Sequence, residues 1–310
     1  MIVVTGANGF VGSNVLRALL GSGLPAVGLV RGTGDQAPQR SIPAWSKSAL
    51  REAFEGARAV VHAASVVHRR DAPPAEYEWF NREGTRTLVE AAGDAGVHHI
   101  VYLSSIKVYG EGQLDLADEK TALRPQDPYS ATKLEAEQIV LAATGTVLRL
   151  APVYGRGDKG NVRRVIQAIA RNRFLLPGDG SSRKSLVHVS TVCELVRAVL
   201  NQDKRGVFVV ADSVAPSMRE LADAAAAALK VRRPVAIPAL VLQALALPVE
   251  AVFALLRRPP PVSRDLIRKS LLPTICSPAK AERELGVSCH VDLTAAVTDE
   301  VAWLRESGLL

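Results

Sequence analysis

Short apolar runs alternate with helical patterns through the first half of the chain. The runs predict five strands and the segments between them predict four helices, with strands at residues 1–6, 26–32, 57–65, 98–105 and 146–155 and helices at 13–20, 48–55, 83–95 and 130–143. Runs that are apolar throughout, rather than at alternate positions, are typical of parallel strands that are covered on both faces. The alternation therefore predicts an α/β fold with a doubly wound parallel sheet.

The pattern changes after residue 155. A glycine-rich turn leads into a basic helix, two apolar strands flank a further helix, and the rest is mostly helical with proline-rich joints at Pro234, Pro238 and 259–261. The predicted bounds are 162–172 and 190–200 for the helices and 186–189 and 206–211 for the strands, which we expect to return to the main sheet. We predict a dinucleotide-binding domain (1–155, plus returning segments at about 185–212) and a smaller, mostly helical C-terminal substrate lobe (156–184 and 213–310).

Residues 238–258 form the most apolar segment of the chain. Gln243, Pro248 and Glu250 interrupt it, so it lacks the uninterrupted span of about 20 apolar residues that a transmembrane helix needs. We expect no transmembrane span here. The segment predicts a buried or amphipathic helix pair, and a weak contact with a membrane surface is the alternative.

Composition excludes some classes of partner. The net charge of +7 suits an anionic small molecule, but no run of five Lys/Arg occurs and only 5% of residues are aromatic, which argues against nucleic-acid binding. The three cysteines, Cys193, Cys276 and Cys289, are too few and too scattered for a disulfide framework or a zinc site. They fit a reducing compartment, and no signal peptide is evident, so we expect a cytoplasmic protein without bound metal.

The stretch TGANGFVG places three glycines, Gly6, Gly9 and Gly12, between the first strand and the first helix. Glycine there permits a tight turn, close approach of the backbone to a pyrophosphate, and packing of the helix on the strand. The helix N-terminus offers free N–H groups to the phosphates. This arrangement predicts a Rossmann-type dinucleotide site, although the spacing G-x-x-G-x-x-G differs from the commoner G-x-G-x-x-G.

The end of the second strand bears on the choice of cofactor. An acidic residue there would bind the ribose hydroxyls of NAD, but this sequence has Arg31, about 25 residues after the first glycine. A guanidinium can pair with a 2′-phosphate. The sequence therefore favours NADP, with NAD as the alternative.

Tyr129 and Lys133 stand four residues apart at the start of a predicted helix, so their side chains share one face. A nearby ammonium would lower the pKa of the tyrosine towards a value useful for proton transfer. Ser104 and Ser105 end the preceding strand, at the edge of the sheet where ligands bind. A serine hydroxyl there can hold a carbonyl oxygen, so the group predicts hydride transfer at a ketone or secondary alcohol.

Five stretches occur in the order and spacing of one family: TGANGFVG, HAAS at 62–65, YLSSIKVYG, PYSATK and LRLAPVYG. Across nearly its whole length the chain resembles the extended short-chain dehydrogenase/reductases, which include nucleotide-sugar epimerases, dehydratases and 4-ketoreductases. The resemblance implies that Ser105 polarises the substrate, that Tyr129 carries the proton and that Lys133 binds the ribose. It also implies a cofactor site lined by Asn8, Phe10, Val11, Ala63, Ala64, Ser65, Ser104, Pro152 and Val153.

The sequence departs from the family pattern at two places. The segment SIPAWSKSAL has no acid to meet the adenine, and Pro152 stands where many sugar-nucleotide members have Asn. The stretches GDKGNVRR and GDGSSRKSLVHV nonetheless resemble the substrate lobe of that branch. They imply that Asn161, Arg183 and Lys184 contact the nucleotide diphosphate; Ser65, Ser105 and Lys107 are the other predicted substrate contacts.

The sequence thus predicts an NADPH-dependent reductase of a nucleotide-linked 4-keto sugar. An NAD-dependent 4-epimerase is the close alternative, and a reductase of the steroid, hopanoid or flavonoid type and a non-catalytic NADP sensor are further ones. The family commonly dimerises through two helices, which implies a homodimer through residues 81–95 and 130–143.

Overall fold

Seven parallel strands form the main sheet of the computed structural model, which describes residues 1–31, 38–67, 73–256, 258, 260 and 262–310. The strands are β1 (Ile2–Thr5), β2 (Ala26–Arg31), β3 (Gln39–Ile42), β4 (Ala59–His62), β5 (His99–Ser105), β7 (Thr146–Leu150) and β11 (Gly206–Val210). Their order is β11-β7-β5-β4-β1-β2-β3. The chain starts at the centre and winds outward to both edges, which confirms the predicted doubly wound sheet.

Helices cover both faces of this sheet. One face carries α1 (Phe10–Gly21) and α7 (Val189–Gln202), and the other carries α2 (Lys47–Ala53), α4 (Gly84–Asp94) and α5 (Pro128–Ala142). Between β4 and α4 lie the short α3 (Pro74–Tyr77) and a π-helical turn (Glu78–Glu83), which the sequence did not indicate. Each face has its own cluster of buried apolar residues, which accounts for strands that are apolar at every position.

Three small parallel sheets lie outside the main one. They pair β6 (Leu114–Ala117) with β13 (Thr274–Cys276), β8 (Val153–Tyr154) with β10 (Val187–His188), and β9 (Leu176–Pro177) with β12 (Ala236–Ile237). The prediction that residues 186–189 return to the main sheet was wrong, whereas β11 does return. The predicted strand 146–155 is split, because Pro152 has no N–H with which to continue the ladder.

The C-terminal half has a buried cluster of its own. It is formed mainly by α6 (Asn161–Ala170), α8 (Met218–Leu229) and α12 (Leu293–Glu306). The remaining helices are α9 (Ala239–Leu255), α10 (Arg264–Leu271) and α11 (Ala279–Leu285). All three cysteines are buried and unpaired. The domain boundaries given above stay a prediction.

The apolar segment 238–258 differs from its prediction. It forms one helix, α9, that runs through Pro248 instead of a helix pair, and Ala246 is its sole buried residue. Within the described part of the chain, no helix is both long and apolar enough to cross a bilayer. Of the proline joints, Pro234 precedes β12 and Pro238 caps α9, while Pro259 and Pro261 lie outside the described residues.

Candidate active site

The glycine loop is held together by close backbone contacts. Gly6 has a φ of +69°, and its carbonyl accepts the N–H of Gly9 at 2.8 Å. A Cβ on Gly12 would lie 2.2 Å from the Gly6 oxygen, and one on Gly6 would lie 2.8 Å from the Ala64 nitrogen. Side chains at these positions would therefore push α1 and the loop after β4 away from β1.

The first turn of α1 is prepared for an anion. Gly9 caps the helix without a side-chain hydrogen bond, and the turn contains no acidic residue. The residue that caps the helix thus supplies no acceptor to these N–H groups, and the helix dipole favours negative charge there. Asn8 is exposed beside the turn, and Phe10 and Val11 are partly exposed at its start. These residues fit the pyrophosphate of a dinucleotide.

Arg31 is the last residue of β2 and is exposed. Thr5 of β1 stands opposite Leu29, so Arg31 lies two residues further towards the carboxyl edge of the sheet, on the side of the glycine loop. Its guanidinium lies 5.4 Å from the centre of the Phe80 ring. This is the position at which a 2′-phosphate contact was predicted, although residues 32–37, which follow, lie outside the described part.

The loop after β4 is fixed by two polar side chains. The Ala64 N–H donates to Thr5 Oγ1 at 3.2 Å. The buried Asn81, in the π-helical turn, accepts from the Val66 N–H at 2.8 Å and from Ser65 Oγ at 3.0 Å. Ala63 is thereby held against Gly6, as a nicotinamide-side wall requires. Asn81 was not predicted, because one Asn in a helical pattern carries no signal.

Ser105 and Tyr129 come together as predicted. Ser105 ends β5, Tyr129 lies in the first turn of α5, and the Ser105 hydroxyl is close enough to lower the pKa of Tyr129. Asp127 caps α5 by accepting the Ser130 N–H at 2.7 Å, and Pro128 occupies the first helical position, so the start of the helix is well defined. Ser105 Oγ also accepts the N–H of Lys107 at 3.2 Å.

The predicted effect of Lys133 on Tyr129 is not what the structure shows. Burial raises the pKa of Tyr129 to about 12, and the neighbouring Ser105 hydroxyl opposes this rise. Lys133 is buried, and its ammonium donates to the Leu103 carbonyl at 2.7 Å, 4.1 Å from the centre of the Tyr102 ring. Burial lowers the pKa of Lys133 to about 7.

Ser104 lies beneath the site rather than in it. Successive strand residues point to opposite faces, so Ser104 and Ser105 cannot both face the cofactor. The Ser104 hydroxyl is buried and donates to Glu137 at 2.5 Å, which differs from its predicted role as a cofactor contact. Glu137 in turn forms a buried ion pair with Arg149 at 2.8 Å.

Pro152 and Val153 follow β7 at the carboxyl edge of the sheet. Pro152 is exposed and its carbonyl accepts the N–H of Val187 at 3.1 Å, while Val153 is half-buried. Both thus border the side on which the cofactor was predicted. Val153 begins β8, and Pro152 lies in the break between β7 and β8.

The predicted substrate contacts are scattered. Asn161 is exposed at the start of α6, and Lys107 pairs with Glu111 at 3.2 Å. Arg183 donates to the Ala215 carbonyl at 2.7 Å. The ammonium of Lys184 donates to the carbonyls of Lys269 and Leu272, so the chain itself supplies acceptors to both residues that were predicted to bind the diphosphate.

A buried carboxyl pair, Asp158 with Glu300, was also not predicted from the sequence. The Gly155 N–H donates to Glu300 at 3.1 Å, and the Gly160 N–H donates to Asp158 at 2.5 Å. Burial and the neighbouring Asp158 raise the pKa of Glu300 to about 8. Glu300 stands in a helix with an ordinary surface-like pattern, so its burial could not be anticipated.

Comparisons with known proteins identify the family of this chain. The model of the NAD dependent epimerase/dehydratase family matches residues 2–211. A 4-hydroxy-2-methyl-3-oxo-4-farnesyl-3,4-dihydroquinoline-1-oxide ketoreductase of Stigmatella aurantiaca is 34% identical over 206 residues, which cover 62% of this chain and 61% of the relative. The UDP-glucose 4-epimerase of Vibrio cholerae is 31% identical over 244 residues, 71% of this chain and 74% of that protein.

The fold is also that of a solved relative. The structure of MoeE5 in complex with UDP-glucose and NAD superposes with a TM-score of 0.79 at 26% identity, and covers 99% of both chains. With the family model matching more than half of the chain, the predicted resemblance is confirmed. This protein belongs to the NAD dependent epimerase/dehydratase family and is an enzyme of the extended short-chain dehydrogenase/reductase type.

Proposed function

We propose that this enzyme is an NAD(P)-dependent ketoreductase in which Tyr129 protonates the oxygen of the reduced ketone. The observation that carries the proposal is that the side chains of Ser105 and Tyr129 lie next to each other at the carboxyl edge of the sheet, close enough for the Ser105 hydroxyl to lower the pKa of Tyr129. Two hydroxyls held together can both contact one carbonyl oxygen. The similarity to a ketoreductase of Stigmatella aurantiaca supports the same reaction class.

The proton chemistry follows from the environment of each group. A tyrosine whose pKa is raised to about 12 keeps its proton at neutral pH, which suits a donor to a developing alkoxide. Ser105 holds the oxygen and stabilises its growing charge. A bound nicotinamide would supply the hydride. Lys133, buried under the site, would orient the ribose and replace the proton that Tyr129 gives away.

Replacing Tyr129 with Phe tests this mechanism. Since positioned acid catalysis contributes about 10²- to 10⁴-fold, Tyr129→Phe should lower kcat by a factor in that range while the dissociation constant for the dinucleotide changes little. Tyr77→Phe is the matched control, because the Tyr77 ring lies 6.2 Å from that of Tyr129. If Tyr129→Phe retained most of the activity, or the control lost as much, Tyr129 would not be the proton donor.

NADPH is the proposed cofactor. Arg31 is exposed at the end of β2, where it can pair with a 2′-phosphate. Mass spectrometry of dinucleotide released from denatured protein, followed by titration with NADPH and NADH, tests this choice. Arg31→Asp should remove a preference for NADPH of about tenfold or more, since a charge-assisted hydrogen bond contributes about 1.5–3 kcal/mol. One NAD retained per chain would instead favour the 4-epimerase alternative, as the similarity to an epimerase does.

Two classes of ketone are candidate substrates. A nucleotide-linked 4-keto sugar is supported by the relatives that act on or bind UDP-glucose, according to their names, and by the exposed Asn161 at the N-terminus of α6. Two observations favour a ketone on an apolar molecule. The ammonium of Lys184 donates to a backbone carbonyl of the chain instead of facing a diphosphate, and the name of one relative contains a farnesyl group. Oxidation of NADPH in the presence of each class, with Tyr129→Phe as the blank, separates them.

A homodimer through α4 and α5 is the proposed assembly. A groove lies between the outer faces of these two helices and is lined by charged as well as apolar side chains, among them Arg86, Glu90 and Ile139. Light scattering on the wild type and on Ile139→Arg tests it. The variant should be monomeric if this surface is the interface.

A further inference from the structure

The helix α9 exposes apolar residues and partly buries its polar ones, whereas a surface helix usually does the opposite. Every exposed residue of its range is apolar, whereas its two polar residues, Gln243 and Glu250, are partly buried against the protein. We call the exposed set the apolar belt, and its members are Leu240, Val241, Ala244, Leu245, Leu247, Pro248, Ala251, Val252, Ala254 and Leu255.

The apolar belt is broad and strongly exposed. At 100° per residue its members cover an arc of about 180°, half of the helix circumference. Leu240 is 80% exposed and Leu255 is 86% exposed. An ordinary surface helix turns its polar side to water, so a wide apolar face of this kind marks a contact with something apolar.

The charges around the apolar belt indicate which apolar partner fits. Residues 232–269 contain seven Lys/Arg and two acidic residues, and so carry +5 of the net charge of +7 of the whole chain. Both acids are already paired: Glu250 with Arg264 at 2.8 Å, and Asp265 with Lys269 at 2.8 Å. Arg232 precedes the helix in the chain and Arg258 follows it, and both are exposed.

We propose that α9 docks flat on an anionic bilayer surface, with the apolar belt in the acyl boundary and the flanking arginines among the headgroups. An apolar face bordered by an excess of cations matches anionic lipid on both counts. Since none of the described helices can span a bilayer, the contact is peripheral. The proposal rests on α9 and its neighbours alone and does not depend on the proposed reaction.

A chain of ion pairs leads from this surface to the active site. Lys269 of α10, which packs on α9, pairs with Glu111 at 2.5 Å, and Glu111 pairs with Lys107 at 3.2 Å. Lys107 pairs in turn with Asp127, the cap of the helix that carries Tyr129, at 3.5 Å. The helix that packs on α9 is therefore linked through side chains to the start of the helix that carries Tyr129.

Co-sedimentation with lipid vesicles tests the proposal on the full chain. Vesicles of phosphatidylcholine with about 30% phosphatidylglycerol should bind the protein, pure phosphatidylcholine should bind it far less, and added salt should weaken binding. The double variant Leu240→Gln/Leu255→Gln should lose at least about thirtyfold in affinity, because it removes two leucines that the bilayer would bury. Arg232→Ser/Arg258→Ser should lose about twenty-fivefold, at about fivefold for each arginine.

Leu116→Gln is the matched control, since Leu116 is 67% exposed but lies in β6, outside α9 and its flanking residues. Its vesicle binding and the melting temperatures of all variants should equal those of the wild type. No preference of the wild type for anionic vesicles, or unchanged binding by the leucine variant, would overturn the proposal. A wild-type dimer that dissociates in the leucine variant would also overturn it, because the apolar belt would then join two copies of the chain.

Discussion

Burial of Lys133 leads to a prediction that separates stability from activity. The ammonium is inside the protein, and burial lowers its pKa from an ordinary 10.5 to about 7. A fall of that size lowers the free energy of unfolding at pH 7 and below by about 5 kcal/mol, compared with a lysine of ordinary pKa. Lys133→Met keeps an unbranched side chain, shorter by one atom, and removes the charge. It also gives up the hydrogen bond to Leu103, which costs about 1–2 kcal/mol.

The variant should therefore be more stable than the wild type by about 3 kcal/mol at pH 6, and inactive. Because the folded-state pKa is depressed, wild-type stability is lost as the pH falls from 10.5 to 7, and the difference between the two proteins should narrow as the pH rises above 7. Other titrating groups are present in both proteins and cancel. Glu137 keeps its partner Arg149 in the variant.

Urea unfolding of both proteins at pH 6, 7, 8 and 9 provides the measurement. The exposed Lys47, which pairs with Asp94 at the surface, offers a matched control, and Lys47→Met should show no pH-dependent gain. The reasoning would be refuted by a Lys133→Met variant that is less stable than the wild type by an amount that does not depend on pH. That result would mean that Lys133 is charged and favourably paired in the fold.

Two further predictions concern the loop and the buried carboxyl pair. Gly12→Ala should destabilise the fold by several kcal/mol and abolish dinucleotide binding, because its Cβ would lie 2.2 Å from backbone. A Cβ at Gly21 would meet nothing within 4 Å, so Gly21→Ala should have neither effect. Thermal melts and cofactor titrations of both variants provide the measurement. The pKa of Glu300 is raised to about 8, so this residue contributes stability that is lost as the pH rises from 4.5 through 8. Glu300→Gln should flatten that part of the stability profile, and an unchanged slope in the variant would refute the assignment of the titration to Glu300.

The sequence by itself determined the class of fold and the centre of the site. Apolar runs indicate strands that are covered on both faces, and the glycine spacing indicates a turn that has no room for Cβ atoms. Both requirements are local, so the sequence pattern alone is enough to predict them. Ser105, Tyr129 and the glycine loop follow from such signals. The family resemblance, carried by five short stretches in order, rests on the same residues.

Only the tertiary structure decided which polar groups are buried and what they face. Ser104 faces Glu137 because successive strand residues point to opposite faces. Lys184 donates to a carbonyl more than 80 residues away, and burial raises the pKa of Tyr129. The apolar helix α9 lies on the surface, because no other element among the described residues covers it along the apolar belt. Desolvation and long-range contacts have no local pattern along the chain, so no spacing or composition could indicate them.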